Sequence, residues 1–171
     1  AGVFATAITT GAGAAEVRVL NWQGYGTDEP WALELFEART GITVVHDNFN
    51  SEQEMLTKLR TSPGAYDVVL INSAFTGQAA EEGLIQAIDP ASISHFDDLD
   101  TNLRGNSAFM SGGKLYGVAW TWGVTSIGYN EDIIPNPGSS ISILWDPAHA
   151  GKVALRDDAV EAVSIAALAT G

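Results

Sequence analysis

From Glu16 onward, short β-branched runs alternate with segments whose apolar residues recur at helical spacing. VRVLNW (17–22) reads as a first strand. TDEPWALELFEARTG reads as a helix, with Asp28 as its cap, Pro30 in its first turn and Gly41 just past its end. Trp31, Leu35 and Phe36 give that helix an apolar face. ITVVHDNF predicts a second strand, and SEQEMLTKLR a second helix opened by a Ser51–Glu54 capping box. YDVVLIN (66–72) is the unbroken apolar run expected of a parallel strand buried on both faces. TGQAAEEG predicts a short third helix closed by Gly83.

Three strand–helix units in succession predict an α/β fold with a mostly parallel, doubly wound sheet and right-handed crossovers. Such sheets bind ligands beyond the carboxyl ends of their strands. That rule directs attention to WQGYG (22–26), NSAF (72–75) and RDD (156–158). Residues 84–113 are irregular, whereas KLYGVAWTWGVTSIGYN (114–130) is extended, as two connected strands or one long strand crossing between bodies. A loop then leads to a turn around Trp145, KVALR predicts a strand, and DAVEAVSIAALATG a helix. The expected organisation is an arm over residues 1–15, a first lobe over 16–122, and the opening of a second lobe over 123–171. That second body is either small or cut short, which would make the sequence a fragment.

The hydrophobic fraction of 46% is enough for a packed core. Eight Lys and Arg against 21 Asp and Glu leave a net charge of −13, which disfavours nucleic acid and anionic membrane surfaces. The absence of cysteine excludes disulfides, thiolate metal sites and a Cys nucleophile. The N-terminal AGVFATAITTGAGAAEV carries an apolar stretch followed by an Ala12-Gly13-Ala14 cleavage pattern, pointing to an exported protein whose mature chain begins near Ala15 or Glu16. An Ala/Gly-rich arm would read the same way. No later apolar run approaches the roughly 18 residues of a membrane span.

The chemistry-bearing motifs thin out quickly. His46, His95 and His149 are scattered, no G-x-S-x-G elbow is present, and the acidic pairs lack metal-ligand spacing. GAGAAE lacks the third glycine of a phosphate loop. Neither a catalytic group, a metal nor a cofactor is implied. What remains is aromatic and acidic. Trp22 and Tyr25 lie just past the first strand, beside glycines, where they either pack as core and turn residues or offer π faces to an ammonium group. Trp120 and Trp122 add two indoles further on. Asp158 and Glu161 have the D-x-x-E form of a capping box, and the same carboxylates could hold a cation.

Six stretches, NW..Y (21–25), LFEARTGITV (35–44), AYDVVL (65–70), EGLIQAID (82–89), YGVAWTWGVTSIGYN (116–130) and LRDDAVEAV, together resemble the periplasmic spermidine/putrescine-binding proteins of ABC importers. The resemblance runs over residues 17–171. It implies a two-lobed binding protein that clamps its ligand between α/β lobes, in a chain roughly twice this length. It further implies that Trp22 and Tyr25 line a polyamine pocket, that Asp158 and Glu161 hold an ammonium end, and that Trp122 lies near the crossover. Where family members can carry an acid this chain has Gly24, and Ala74 replaces a family tyrosine beside Asn72 and Ser73. Those departures open the pocket to a shorter amine, or to a zwitterion such as an opine or amino-acid derivative, with Asn72 and Ser73 as a polar edge. The implied partners are an amine and an ABC permease of the inner membrane, without membrane insertion of the chain itself. A hydrolase or transferase on a similar frame, and a self-associating interaction module that binds no small molecule, are the alternatives from other classes.

Overall fold

The computed structural model describes residues 15–170, so the apolar arm and its Ala12–Ala14 cleavage pattern lie outside the described residues. The chain divides into two compact units between Gly117 and Val118. In the first, β1 (Ala15–Asn21) lies between β2 (Ile42–Asn48) and β3 (Val68–Val69), both parallel to it. Parallel neighbours need crossovers, supplied by α1 (Pro30–Thr40) and α2 (Glu52–Thr61), while α3 (Ser73–Glu81) follows β3. The order β2-β1-β3 means the chain steps outward from β1, then returns past it. With right-handed crossovers, α1 and α2 fall on opposite faces, and a topological switch point lies between β1 and β3.

Register sets which face carries the core. Leu20 pairs with Asp47 and with Val69, so these three share one face. Against it α2 and α3 bury Met55, Leu56, Leu59, Phe75 and Ala79 together with Leu20 and Phe49. Each large apolar side chain removed from water in this way contributes about 1.5–3 kcal/mol. At the rim of that core, Lys58 of α2 donates to Asp47 Oδ1 (2.9 Å) and to the Asn48 carbonyl (2.6 Å), and the Tyr66 hydroxyl donates to Asp47 Oδ2. The Tyr66 hydroxyl and then the Lys58 ammonium hold the Asp47 carboxyl below its ordinary value.

Local punctuation follows the sequence in most places. Pro30 opens α1, and Gly41 closes it in the left-handed conformation. Ser51 caps α2 by accepting from the Glu54 amide, but Glu54 reaches back to the Asn50 amide, one residue earlier than a closed box requires. Beyond α3, the amide of Leu84 bonds to Ala79 across Gly83, whose φ is +69°.

Several expectations are corrected. Asp28 does not cap α1; Glu29 occupies that position without a side-chain bond, because the Asp28 carboxylate is taken by the preceding loop. The face of Trp31, Leu35 and Phe36 remains exposed, and the half-buried residues of α1 are its Ala32 and Leu33. The third strand is shorter than its apolar run and pairs on one side only among the described residues, and Val68 is 46% exposed. Asp67 and Leu70 still extend the ladder by one bond at each end. The 114–130 stretch makes only the hairpin partner β5 (Lys114–Leu115), paired with β4 (Met110–Ser111) around Gly112 and Gly113, both with positive φ.

The second unit holds two short 3₁₀ turns, Ile141–Trp145 and Pro147–His149, and a final helix. A four-residue helix, α4 (Thr101–Arg104), belongs to the first unit, so the final helix is α5 (Ala159–Thr170). KVALR finds no ladder partner among the described residues, and a strand without a partner is only an extended segment.

One ion pair locks α2 to the end of α3: Arg60 donates to both oxygens of Glu82, at 2.7 and 2.8 Å, with Gln78 adding a third bond. Arg60 first, and Gln78 second, pull the Glu82 carboxyl from 4.5 to about 2. A carboxylate depressed in the folded state stabilises fully above its unfolded value and loses that contribution as pH falls through the folded one. Glu82→Gln should therefore lower Tm slightly at neutral pH, and the gap to the wild type should close between pH 4.5 and about 2. A Tm gap that stays constant over that range in thermal melts would show that the pair contributes nothing through its charge.

Candidate ligand-binding site

Asn21 ends the central strand fully buried, a polar residue where the preceding positions are apolar. Its carbonyl accepts from the Phe49 amide (3.3 Å), its Oδ1 from the Trp22 amide (2.7 Å), and its Nδ2 donates to Thr27 Oγ1 (2.7 Å). His46 Nε2 of β2 lies 3.1 Å from the same hydroxyl. These bonds fasten both ends of the loop Trp22–Thr27. Its middle is held by Asp28, whose Oδ2 accepts from the Gly24 amide at 2.8 Å. The Gly24 amide chiefly, with a smaller pull from His46, keeps the Asp28 carboxyl below its ordinary value. Gly24 and Gly26 have φ of +78° and +92°. A Cβ on Gly24 would meet nothing within 4 Å, so the backbone conformation, and not lack of room, is what favours glycine there.

This loop presents two rings. Trp22 packs edge-on against Phe49 at 4.8 Å, and the Tyr25 ring lies 6.3 Å from Trp22 at a 35° tilt. Trp22 is half-buried and Tyr25 is 49% exposed, so the pair has an anchored member and an accessible one. Asn72 and Ser73 follow β3, the strand hydrogen-bonded beside β1. Both are exposed, and Asn72 Oδ1 caps α3 by accepting from the Ala74 amide at 3.0 Å. The first unit thus sets the aromatic loop and the polar pair on the two strands that flank its switch point.

In the second unit, Asp158 is 7% exposed and caps α5: its Oδ1 accepts from the Glu161 amide and its carbonyl from the Ala162 amide, each at 2.9 Å. The return half of the box is replaced. The Asp158 amide bonds to the Arg156 carbonyl (2.8 Å), and the Glu161 carboxylate meets Arg156 Nε at 3.2 Å. Arg156 Nη2 lies 3.7 Å from Asp158 Oδ2. The Asp158 carboxylate caps the helix, and both carboxylates face a cation belonging to the chain itself. Trp122 is 80% exposed, in a stretch without ladder bonds.

Sequence reasoning missed Asn21, Thr27, Asp28 and His46 as the supports of the loop, and Arg156 as the counter-charge of the acids. The clue for Arg156 was its place two residues before Asp158. An open cleft lined by Ile88, Phe96, Arg104, Met110, Lys114 and Leu115, among others, contains none of the candidate residues.

The first unit is thus a parallel α/β unit with an aromatic loop at the carboxyl end of its central strand. The chain belongs to the bacterial extracellular solute-binding protein family, whose model matches residues 31–171. It is 35% identical over 148 residues to the spermidine/putrescine-binding periplasmic protein of Escherichia coli, covering 85% of this chain and 41% of that one. It is 31% identical over 169 residues to the spermidine/putrescine-binding periplasmic protein 1 of Haemophilus influenzae, covering 97% and 46%. Among solved structures, the Tp0655 lipoprotein of Treponema pallidum superposes with a TM-score of 0.65 at 22% identity, over 79% of this chain and 41% of that one, a likeness of fold. The chain thus spans less than half the length of these relatives, two of which are named as binding proteins.

Asn21→Ala should destabilise the first unit by about 1–3 kcal/mol, since it removes the side-chain acceptor of the Trp22 amide and one of the two partners of the Thr27 hydroxyl. Urea unfolding measures the loss, and amide exchange at Trp22 should accelerate beyond that of the β1 core. Uniform exchange across β1 and the loop would show that Asn21 is not the loop's anchor.

Proposed function

We propose that the full-length protein is a non-catalytic solute-binding protein of an ABC importer, acting in the periplasm and delivering a cationic amine of the putrescine and spermidine class to an inner-membrane permease. The observation that carries this reading is the Trp22–Tyr25 ring pair at the end of the central strand, in a chain whose relatives are named as spermidine/putrescine-binding proteins. A desolvated ammonium over an aromatic face gains about 0.5–2 kcal/mol per contact. On this reading residues 16–122 belong to a first lobe and 123–171 to the opening of a second. The first contributes Trp22, Tyr25 and the polar edge of Asn72 and Ser73; the second contributes the carboxylates of Asp158 and Glu161, while Trp122 is a further ring near the crossover.

Calorimetry on the full-length protein with putrescine and spermidine tests the reading. Trp22→Ala should weaken amine binding by at least about 1 kcal/mol, roughly fivefold; unchanged affinity would remove Trp22 from the site. Asp158→Asn keeps an oxygen acceptor for the cap but loses the charge, so affinity should fall while Tm changes little. A lower Tm with intact affinity would leave Asp158 a cap alone.

A further inference from the structure

We propose that Arg156 is a built-in competitor for the ligand's ammonium group and so sets the affinity of the acidic pair; this rests on the amine reading of Asp158 and Glu161 above. Three observations carry it. The guanidinium faces both carboxylates at once, 3.2 Å from Glu161 and 3.7 Å from Asp158. The carboxylates are largely enclosed, at 7% and 20% side-chain exposure, whereas Arg156 is 55% exposed. The Asp158 amide also bonds to the Arg156 carbonyl, so the backbone that carries the guanidinium is fixed beside the cap whether or not the side chain is engaged.

The charge arithmetic is simple. Two carboxylates and one guanidinium leave one net negative charge where an unaccompanied pair would offer two. An ammonium must therefore either share the acids with Arg156 or displace it. Displacement is opposed by a rival tethered two residues away, whose effective concentration does not fall on dilution. A planar guanidinium spans two carboxylates in a way the compact ammonium of lysine does not. Arg156 thus keeps the empty subsite neutralised and makes it less retentive for amines than its two acids alone would be.

The test is a calorimetric titration of the full-length wild type, R156Q and R156K with putrescine, each checked for folding by thermal melt. R156Q should bind about tenfold tighter or more, since one unit of opposing charge leaves the subsite, and R156K should lie between the two. A purely structural arginine would give the opposite sign, with R156Q binding more weakly as the cap loosens. Equal or weaker binding by R156Q, with a wild type that binds, overturns this inference and leaves the amine reading standing. No binding by any of the three overturns both. If R156Q does not fold, R156K decides: tighter than wild type supports competition, while equal or weaker overturns it.

Discussion

The hydrogen bonds of Asn21 govern how the first unit ends its sheet. A central parallel strand is buried on both faces, so it must give up its backbone bonds where it leaves the sheet, and a polar side chain there has to be fully satisfied or it costs stability. Asn21 meets this with its carbonyl on Phe49, its Oδ1 on the Trp22 amide and its Nδ2 on Thr27. One residue therefore joins the end of β1, the end of β2 and both ends of the intervening loop. The position of the Trp22 and Tyr25 rings is a consequence of that junction: Phe49, whose own amide it holds, is the ring on which Trp22 rests.

The two candidate clusters differ in how they treat charge. The aromatic loop Trp22–Thr27 carries no formal charge, and the carboxylate next to it, Asp28, accepts from the Gly24 amide. The acidic turn of the second unit carries its own cation in Arg156 and its own helix to cap. Capping and cation binding are not rival roles for such carboxylates, because the oxygen that accepts from a helix amide leaves a second one to face a cation. In Asp158 those two oxygens are divided in this way, Oδ1 to Glu161 and Oδ2 toward Arg156.

Elements bounded by local chemistry were legible in the sequence. Pro30 and Gly41 bracket α1, Ser51 opens α2 and Gly83 turns the chain after α3, each by an effect that acts within a few residues. What could not be read depends on partners distant in sequence or on competition between near ones. Periodicity identifies Trp31, Leu35 and Phe36 as apolar but does not say what stands opposite them. Asp28 had two sets of amides in reach, the α1 start and Gly24, and the positive φ of the glycine loop decided between them. KVALR has the composition of a strand, but pairing is a property of two segments. The closeness of Trp22 and Tyr25 was readable from a three-residue spacing on a glycine turn. The role of Arg156 was not, since a basic residue before two acids has no fixed direction until the helix start orients it.

The unequal burial of the indoles has an optical consequence. Trp31, Trp120, Trp122 and Trp145 are 68%, 63%, 80% and 51% exposed, while Trp22 is half-buried against Phe49. Emission from the first four is dominated by water relaxation and is open to collisional quenchers; Trp22 forms a bluer, shielded minority. In this chain a wet majority of chromophores therefore masks the one indole that belongs to the aromatic loop, and acrylamide or iodide would act as a filter that brings its spectrum forward.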